Sequence, residues 1–241
     1  MATGVSRVWR TLKRSVFGRP IFNVRARLAK QYLRGEGLEI GALHAPLPLP
    51  RGAIARYVDR LPVSELRKQY LNLAGQAFVP VDVVDDGETL ATMPDDSQDF
   101  VIANHFLEHT EDPIGTLKAF FRVLRFGGVV FLGLPDKRYT FDCDRPLTPL
   151  AHLLADHLNG PQWTRREHFQ EFARLVERCE SDDAVQRRAD ELMANGTSIH
   201  FHVWTQREML ELLLWVQRQV SFDIETVVRN KLEVLFILRK A

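Results

Sequence analysis

Apolar residues recur along this chain in two spacings, and the spacings divide it into elements. Short apolar runs occupy 38–40, 55–58, 77–84, 100–103 and 129–134. Runs of this length bounded by turn residues mark strands buried on both faces. Between the last two, Ile114, Leu117, Phe121 and Leu124 repeat on one helical face. Asp112 suits the N-cap, Pro113 the first turn, and the Gly127-Gly128 pair the stop. Strand, helix and strand follow with almost no spare residues, so 99–135 reads as one parallel crossover unit. Asn104, His105, Glu108 and His109 form its polar tip, at the end of the sheet where ligands bind. A further helix is expected over 63–73, after Pro62, with Ser64 as start signal.

Beyond Asp136 the alternation lapses. Residues 136–202 are charged, aromatic and histidine-rich, and read as a loop-and-helix insertion over the ligand-binding end. Thr205 and Glu208 have capping-box spacing ahead of a helix over 206–219. The β-rich runs 222–228 and 232–238, three residues apart, predict an antiparallel hairpin. Strands alternating with helices specify an α/β fold with a mostly parallel, doubly covered sheet. The expected organisation is a basic N-terminal helical segment over 1–36 and one domain over 37–241, with the insert at about 136–204.

At 241 residues and 45% hydrophobic content, the chain can fill one large α/β core. Its net charge of +1 conceals an asymmetry: residues 1–35 hold nine Lys or Arg and no acid. The remaining 23 basic residues face 31 acidic ones, a balance of −8. Val8, Trp9, Leu12 and Val16 form a rough apolar stripe among the basic residues. Such a segment can lie on an anionic membrane or pack beside the sheet with a solvated basic face. Nucleic acid is not expected as a partner, because the basic residues sit at one end without stacking aromatics. No apolar run approaches the ~20 residues needed to span a bilayer, so a cytoplasmic location is expected. Cys143 and Cys179 lack disulfide or metal-ligand spacing.

These elements in this order resemble a class I S-adenosylmethionine-dependent methyltransferase, of the group carrying a short Leu-Glu-His segment after the fourth strand, here Leu107-Glu108-His109. The resemblance covers 37–135 and resumes at the terminal hairpin. It implies a Rossmann-like seven-stranded sheet whose last strand is antiparallel, with helices on both faces and S-adenosylmethionine as cofactor. Glu39 before Gly41 would orient the cofactor's amino group, and Ala42 would continue the loop beneath its methionine part. Asp59, 18 residues after Gly41, matches the ribose-binding acid by spacing. Asp86 and Gly87 match the adenine position, with Asp82 as an alternative facing the pocket from within the third strand. Asn104 and His105 would form the floor beneath the sulfonium, and His109 would brace them. The first loop departs from the family in having Ala42 and Leu43-His44-Ala45 where further glycines are usual. The segment after Pro135 is similar to a bacterial subgroup associated with polysaccharide or glycan biosynthesis.

Methyl transfer from a sulfonium needs alignment and exclusion of water, and a base only when the acceptor is a poor nucleophile such as a sugar hydroxyl. Histidine is the side chain best tuned for that role at neutral pH. Seven of the eight histidines lie after the fourth strand, with Asp136, Asp142 and Asp156 among them. His105, His202 and Asp142 are the candidates for catalysis. Lys137, Arg138, Tyr139 and Arg145 follow the fifth strand and are the candidates for acceptor contact, since Arg and Lys suit phosphate, carboxylate or sugar. No metal is expected, because no compact ligand spacing such as a pair of histidines four apart within a helix occurs. The expected activity is O-methylation of a sugar, glycan or glycolipid precursor. A non-catalytic scaffold of the same fold is an alternative. A nicotinamide-dependent oxidoreductase is a weaker one, since GALHAP is not a phosphate-cradling glycine turn.

Overall fold

The computed structural model describes residues 19–241, so the Val8, Trp9, Leu12 and Val16 stripe lies outside the described residues. Helix α1 (Arg19–Tyr32) leads into β1 (Gly35–Ile40) and β2 (Ala53–Asp59). Then come α2 (Val63–Gln69), β3 (Val83–Val84), β4 (Gln98–Asn104), α3 (Pro113–Val123) and β5 (Leu124–Pro135). The insert holds α4 (Leu150–Asn159), α5 (Arg165–Leu175) and α6 (Asp182–Ala194). Helix α7 (Gln206–Val216) and the hairpin β6 (Phe222–Asn230) and β7 (Glu233–Lys240) close the chain.

The seven strands form one sheet in the order β3-β2-β1-β4-β5-β7-β6, parallel except for β7, which runs antiparallel to both neighbours. The expected Rossmann-like sheet with an antiparallel last strand is therefore present. Alternation along the strands loads both faces. Val101, Ala103, Val130 and Leu132 pack with Leu117, Phe121, Leu212 and Leu213 of α3 and α7. Phe100, Ile102, Val129 and Phe131 pack on the opposite face with Leu28 and Ala29 of α1 and with Leu33 just after it. The described part of the basic segment is thus a cover for the sheet.

Two elements differ from their sequence pattern. Residues 77–84 pair with β2 only at Val83 and Val84. Pro80 has no N–H to donate, and the Asp82 carboxylate accepts the Tyr57 N–H at 2.8 Å, taking the place of a ladder carbonyl. Asp82 is thereby turned to β2 and away from the ligand end. Helix α3 ends at Val123, before the glycines, and Leu124 is already extended with φ −73° and ψ 139°. Gly127, with φ 77°, lies within β5, where the β4–β5 register shifts. Elsewhere local signals hold: the Asp112 side chain accepts the Gly115 N–H at 2.9 Å, and the Thr205–Glu208 capping box is formed.

Glu233, at the first position of β7 and 1% exposed, ties three parts of the chain together. It accepts from Arg25 of α1, with one contact at 3.0 Å, from Asn230 at 2.7 Å, and pairs with His105 Nε2 at 2.8 Å. Burial alone would raise its pKa, but the bond from His105 and the Arg25 charge outweigh it and hold the carboxyl at about 2. A depressed carboxylate stabilises the fold fully above its unfolded value of about 4.5, and that stability is lost as pH falls toward 2. Glu233→Ala should lower stability by about 3–5 kcal/mol in urea unfolding at pH 7, because it strands a buried guanidinium. Glu233→Gln should show a shallower loss of stability between pH 4.5 and 2 than the native chain.

Candidate active site

The strand order reverses between β1 and β4, and a cleft of about 1010 Å³ opens there, at the carboxyl ends of the parallel strands. Glu39, Gly41, Ala42, Asp59, Asp86, Gly87, Asn104 and His105, expected from the sequence as the cofactor set, all line it. Helices α5 and α6 and the segment 195–201 supply its far wall.

Each wall has a local cause. Gly41 turns out of β1 with φ 64°, a left-handed conformation that glycine adopts without strain. Gly87 follows the Asp85–Asp86 turn, and a Cβ there would stand 2.5 Å from Ile40 Cγ2 and 2.7 Å from Phe106 Cζ. Asp85 is committed to the turn itself, accepting from the Thr92 amide at 2.9 Å, the Thr92 hydroxyl at 2.6 Å and the Asp86 amide at 2.7 Å. Asp86 is left on the cleft, accepting the Glu88 N–H at 2.9 Å. Glu88 also faces the cleft, its pKa pushed up to about 7 by burial and then by the charges of Asp86 and Glu111.

Buried acceptors and donors without internal partners line the cleft. Glu39 is 2% exposed; its Oε1 accepts the Leu47 N–H at 2.8 Å, while Oε2 has no hydrogen-bond partner. Burial raises its pKa to about 8, outweighing the Leu47 bond and the Arg25 charge. An ammonium group meets both needs, supplying a donor and a positive charge. Asp59, at the end of β2, has its pKa raised by burial, against the bond from the Arg60 amide. Asn104 is unpartnered at both Oδ1 and Nδ2.

The far wall carries a second polar array. Asp142 accepts from His200 Nδ1 at 2.7 Å and from Arg145 at 2.9 Å. Burial would raise the Asp142 pKa, but His200 and Arg145 hold it at about 2. Burial would lower that of His200, yet Asp142, with help from Glu108, leaves it raised above 6.5. His200 lines the cleft, with the Phe141 ring 4.7 Å and the His109 ring 4.6 Å away. His109 is bonded to the Ile199 carbonyl at 2.8 Å and its pKa is pushed down to about 3, first by burial and then by His200.

The other expected residues stand apart from the cleft lining. Lys137 donates to the Cys143 carbonyl at 2.8 Å, and Arg138 forms a two-pronged pair with Asp136 at 2.9 and 2.6 Å. Tyr139 lies under the Arg229 guanidinium, 4.4 Å from its ring centre. Arg145 is 2% exposed and spends its donors on Asp142, Glu171 and the carbonyls of His200 and Phe201. His202, 1% exposed, is packed within the insert beside His152 and His168. In their place the cleft is faced by Phe141, Arg165, Phe169, Phe172 and Arg188, from α5, α6 and the loop after β5. Their only sequence signal was the aromatic and charged richness of 136–202. Arg25, which also lines the cleft, arrives from α1 and carried no motif at all.

Residues 47–132 match the model of a methyltransferase domain. Over these residues the chain carries a methyltransferase domain. S-adenosylmethionine is accordingly its cofactor. The methyltransferase fold is similar to that of an S-adenosylmethionine-dependent methyltransferase from Methanosarcina mazei: 16% identity, TM-score 0.50, 88% of this chain and 96% of that one. It is also similar to a Rhodobacter sphaeroides protein described as a zinc-dependent alcohol dehydrogenase, at 16% identity and TM-score 0.54 over the whole of both chains. A third likeness is to the CurJ carbon methyltransferase, at 13% identity and TM-score 0.51, covering 98% of this chain and 59% of that one. At these identities the likenesses establish the fold. No curated protein matches the sequence. Among the described residues, no helix of the methyltransferase is long and apolar enough to cross a membrane.

Titration calorimetry with S-adenosylhomocysteine should show saturable binding, weakened about 10–100-fold by Glu39→Gln, since a hydrogen bond to a charged group contributes about 1.5–3 kcal/mol. At pH 7 the native chain should release a proton on binding, seen as a heat that varies with the buffer's ionisation enthalpy. A Glu39 pKa of about 8 leaves the carboxyl protonated beforehand, and the variant should lose this dependence.

Proposed function

We propose that the protein methylates a hydroxyl of a sugar, glycan or glycolipid precursor, with His200 as the base and Asp142 as its orienting partner. S-adenosylmethionine supplies the methyl group as an activated sulfonium. The chain's own residues must therefore hold the two reactants in line, exclude water and remove one proton. Glu39, Asp59, Asp86 and Asn104 are the proposed cofactor contacts, with Gly41 and Gly87 allowing close approach.

The observation that carries this reading is the 2.7 Å Asp142–His200 pair on the cleft wall facing the cofactor residues. The Asp142 carboxylate accepts from Nδ1–H, leaving Nε2 as the acceptor, and it stabilises the imidazolium once the proton has moved. His105, bonded to Glu233 at the opposite side, serves better as a positioning residue than as the base. The acceptor region mixes the rings of Phe141, Phe169 and Phe172 with the ion pairs Arg165–Glu111 and Arg188–Glu177. Aromatic faces beside planar, paired polar groups suit a neutral polyhydroxylated acceptor better than an ionic one. A cytoplasmic location, with the basic residues preceding α1 resting on an anionic membrane, belongs to the same reading.

A panel of cell-envelope sugars assayed with methyl-labelled cofactor should reveal a hydroxyl acceptor. With it, kcat/KM should rise with pH through a value above 6.5 and then level off, because only neutral His200 can take the proton. His200→Gln should lower kcat about 10²–10⁴-fold and flatten that limb while S-adenosylhomocysteine still binds. An unchanged pH profile in His200→Gln would remove His200 from the chemistry. Saturable cofactor binding with no turnover on any hydroxyl acceptor would favour the scaffold alternative.

A further inference from the structure

Three buried side chains and the half-buried His152, all outside the cleft lining, converge inside the insert. His152 and Asp156 lie one turn apart on α4, His168 comes from the start of α5, and His202 from the extended segment before α7. One ligand atom from each lies within 4.8 Å of all the others. His152 Nε2 is 3.2 Å from His168 Nε2 and 3.0 Å from Asp156 Oδ2, and His202 Nε2 is 4.0 Å from Asp156 Oδ2.

Hydrogen bonding accounts for only part of this convergence: His152 Nε2 and His168 Nε2 share a hydrogen bond and His202 Nε2 meets the Glu111 carbonyl, but Asp156 is left half satisfied. Asp156 Oδ1 accepts the Thr164 hydroxyl at 2.7 Å. Asp156 Oδ2 is fully buried and makes no hydrogen bond, although His152 Nε2 stands 3.0 Å away. A nitrogen and an oxygen that close without alignment point past each other, toward a shared third position. Donors at about 2.0–2.2 Å from a tetrahedral Zn²⁺ stand about 3.3 Å from one another. The 3.0 and 3.2 Å separations match edges of such a tetrahedron, and a small turn of the His202 ring away from the Glu111 carbonyl, 3.3 Å from its Nε2, closes the longer one.

We propose that His152, Asp156, His168 and His202 bind one divalent cation of the zinc class, as a closed structural site. Imidazole with a single carboxylate is a borderline donor set that suits zinc, and four protein ligands leave no open position for chemistry. The Thr164 hydroxyl on Asp156 Oδ1 supplies the outer support that orients a metal-binding carboxylate. The ion would staple α4, α5 and the 199–204 segment, two residues from His200. Only the His152–Asp156 spacing of 4 marks the set in the sequence, since His168 and His202 follow after a further 12 and 34 residues. A second triad, Glu108, His109 and His200, offers only three groups, and His200 Nδ1 and His109 Nδ1 are already bonded to Asp142 and the Ile199 carbonyl.

The test uses the full chain stripped with a chelator, returned to zinc and freed of excess by gel filtration. Mass spectrometry of the metal should find one zinc per chain. Cobalt loading should give the intense visible bands of a tetrahedral site. In competition with a chromogenic chelator, His168→Ala and the double variant His152→Ala/Asp156→Ala should bind zinc more than about 100-fold more weakly, since even outer-support losses cost 10–100-fold. His109→Gln should keep the native stoichiometry. A native chain that takes up no zinc and shows no tetrahedral cobalt spectrum overturns the proposal. So does zinc retained at native affinity in His168→Ala, or lost in His109→Gln. Should the variants fail to fold, the native chain decides alone: zinc should raise its melting temperature above that in chelator, and cobalt should report the geometry. Neither readout needs cofactor or acceptor.

Discussion

The buried carboxylate of Glu233 is the constraint on which the arrangement of the cleft depends. It sits where the antiparallel hairpin returns to the sheet, and it receives Arg25 from the covering helix, Asn230 from the hairpin itself and His105 from the tip of β4. His105 is held in a left-handed conformation, φ 54°, with its ring committed to that acid. The loop after β4, which lines the cleft, is therefore positioned by a residue more than a hundred positions away. A charge so buried is tolerated because it is surrounded by donors. Any one donor lost leaves the rest uncompensated.

The sheet supplies the other half of the geometry. Because β1 and β4 are neighbours while β2 and β5 lie outward from them, the loops after β1 and β4 part in opposite directions and leave a crevice. Both faces of these strands are apolar, so helices cover them, and the polar loop ends are left open to solvent. Glu39 shows the consequence: the fold buries a carboxylate oxygen with no internal partner at the wall of that crevice.

The insert is organised by polar contacts as much as by its small apolar core of Phe169, Phe172, Leu192 and Ile199. Arg145 binds Asp142, Glu171 and two carbonyls, which fixes the loop after β5 against the 199–204 segment. The histidine–aspartate cluster does the same for α4 and α5 from within. Between them they hold His200 with its Nδ1 on Asp142, and the aromatic wall of the cleft follows from where α5 and the loop after β5 come to rest.

Local patterns determined much of this protein. The apolar runs at 100–103 and 129–134, the Asp112 cap, the Thr205–Glu208 box and the hairpin spacing are short-range features, and each reappears in the fold. This side of the cleft was equally legible, because Glu39 and Asp59 stand at the ends of β1 and β2 while Gly41 and Gly87 closely follow β1 and β3. What the sequence could not specify is how segments far apart in the chain meet. The arginine expected to touch an acceptor, Arg145, is consumed internally; His202 is enclosed; His200 gains its character only from Asp142, 58 positions earlier. Strand, cap and turn preferences act over a few residues, whereas burial, charge pairing and metal-like convergence depend on distances that only packing of the whole chain decides.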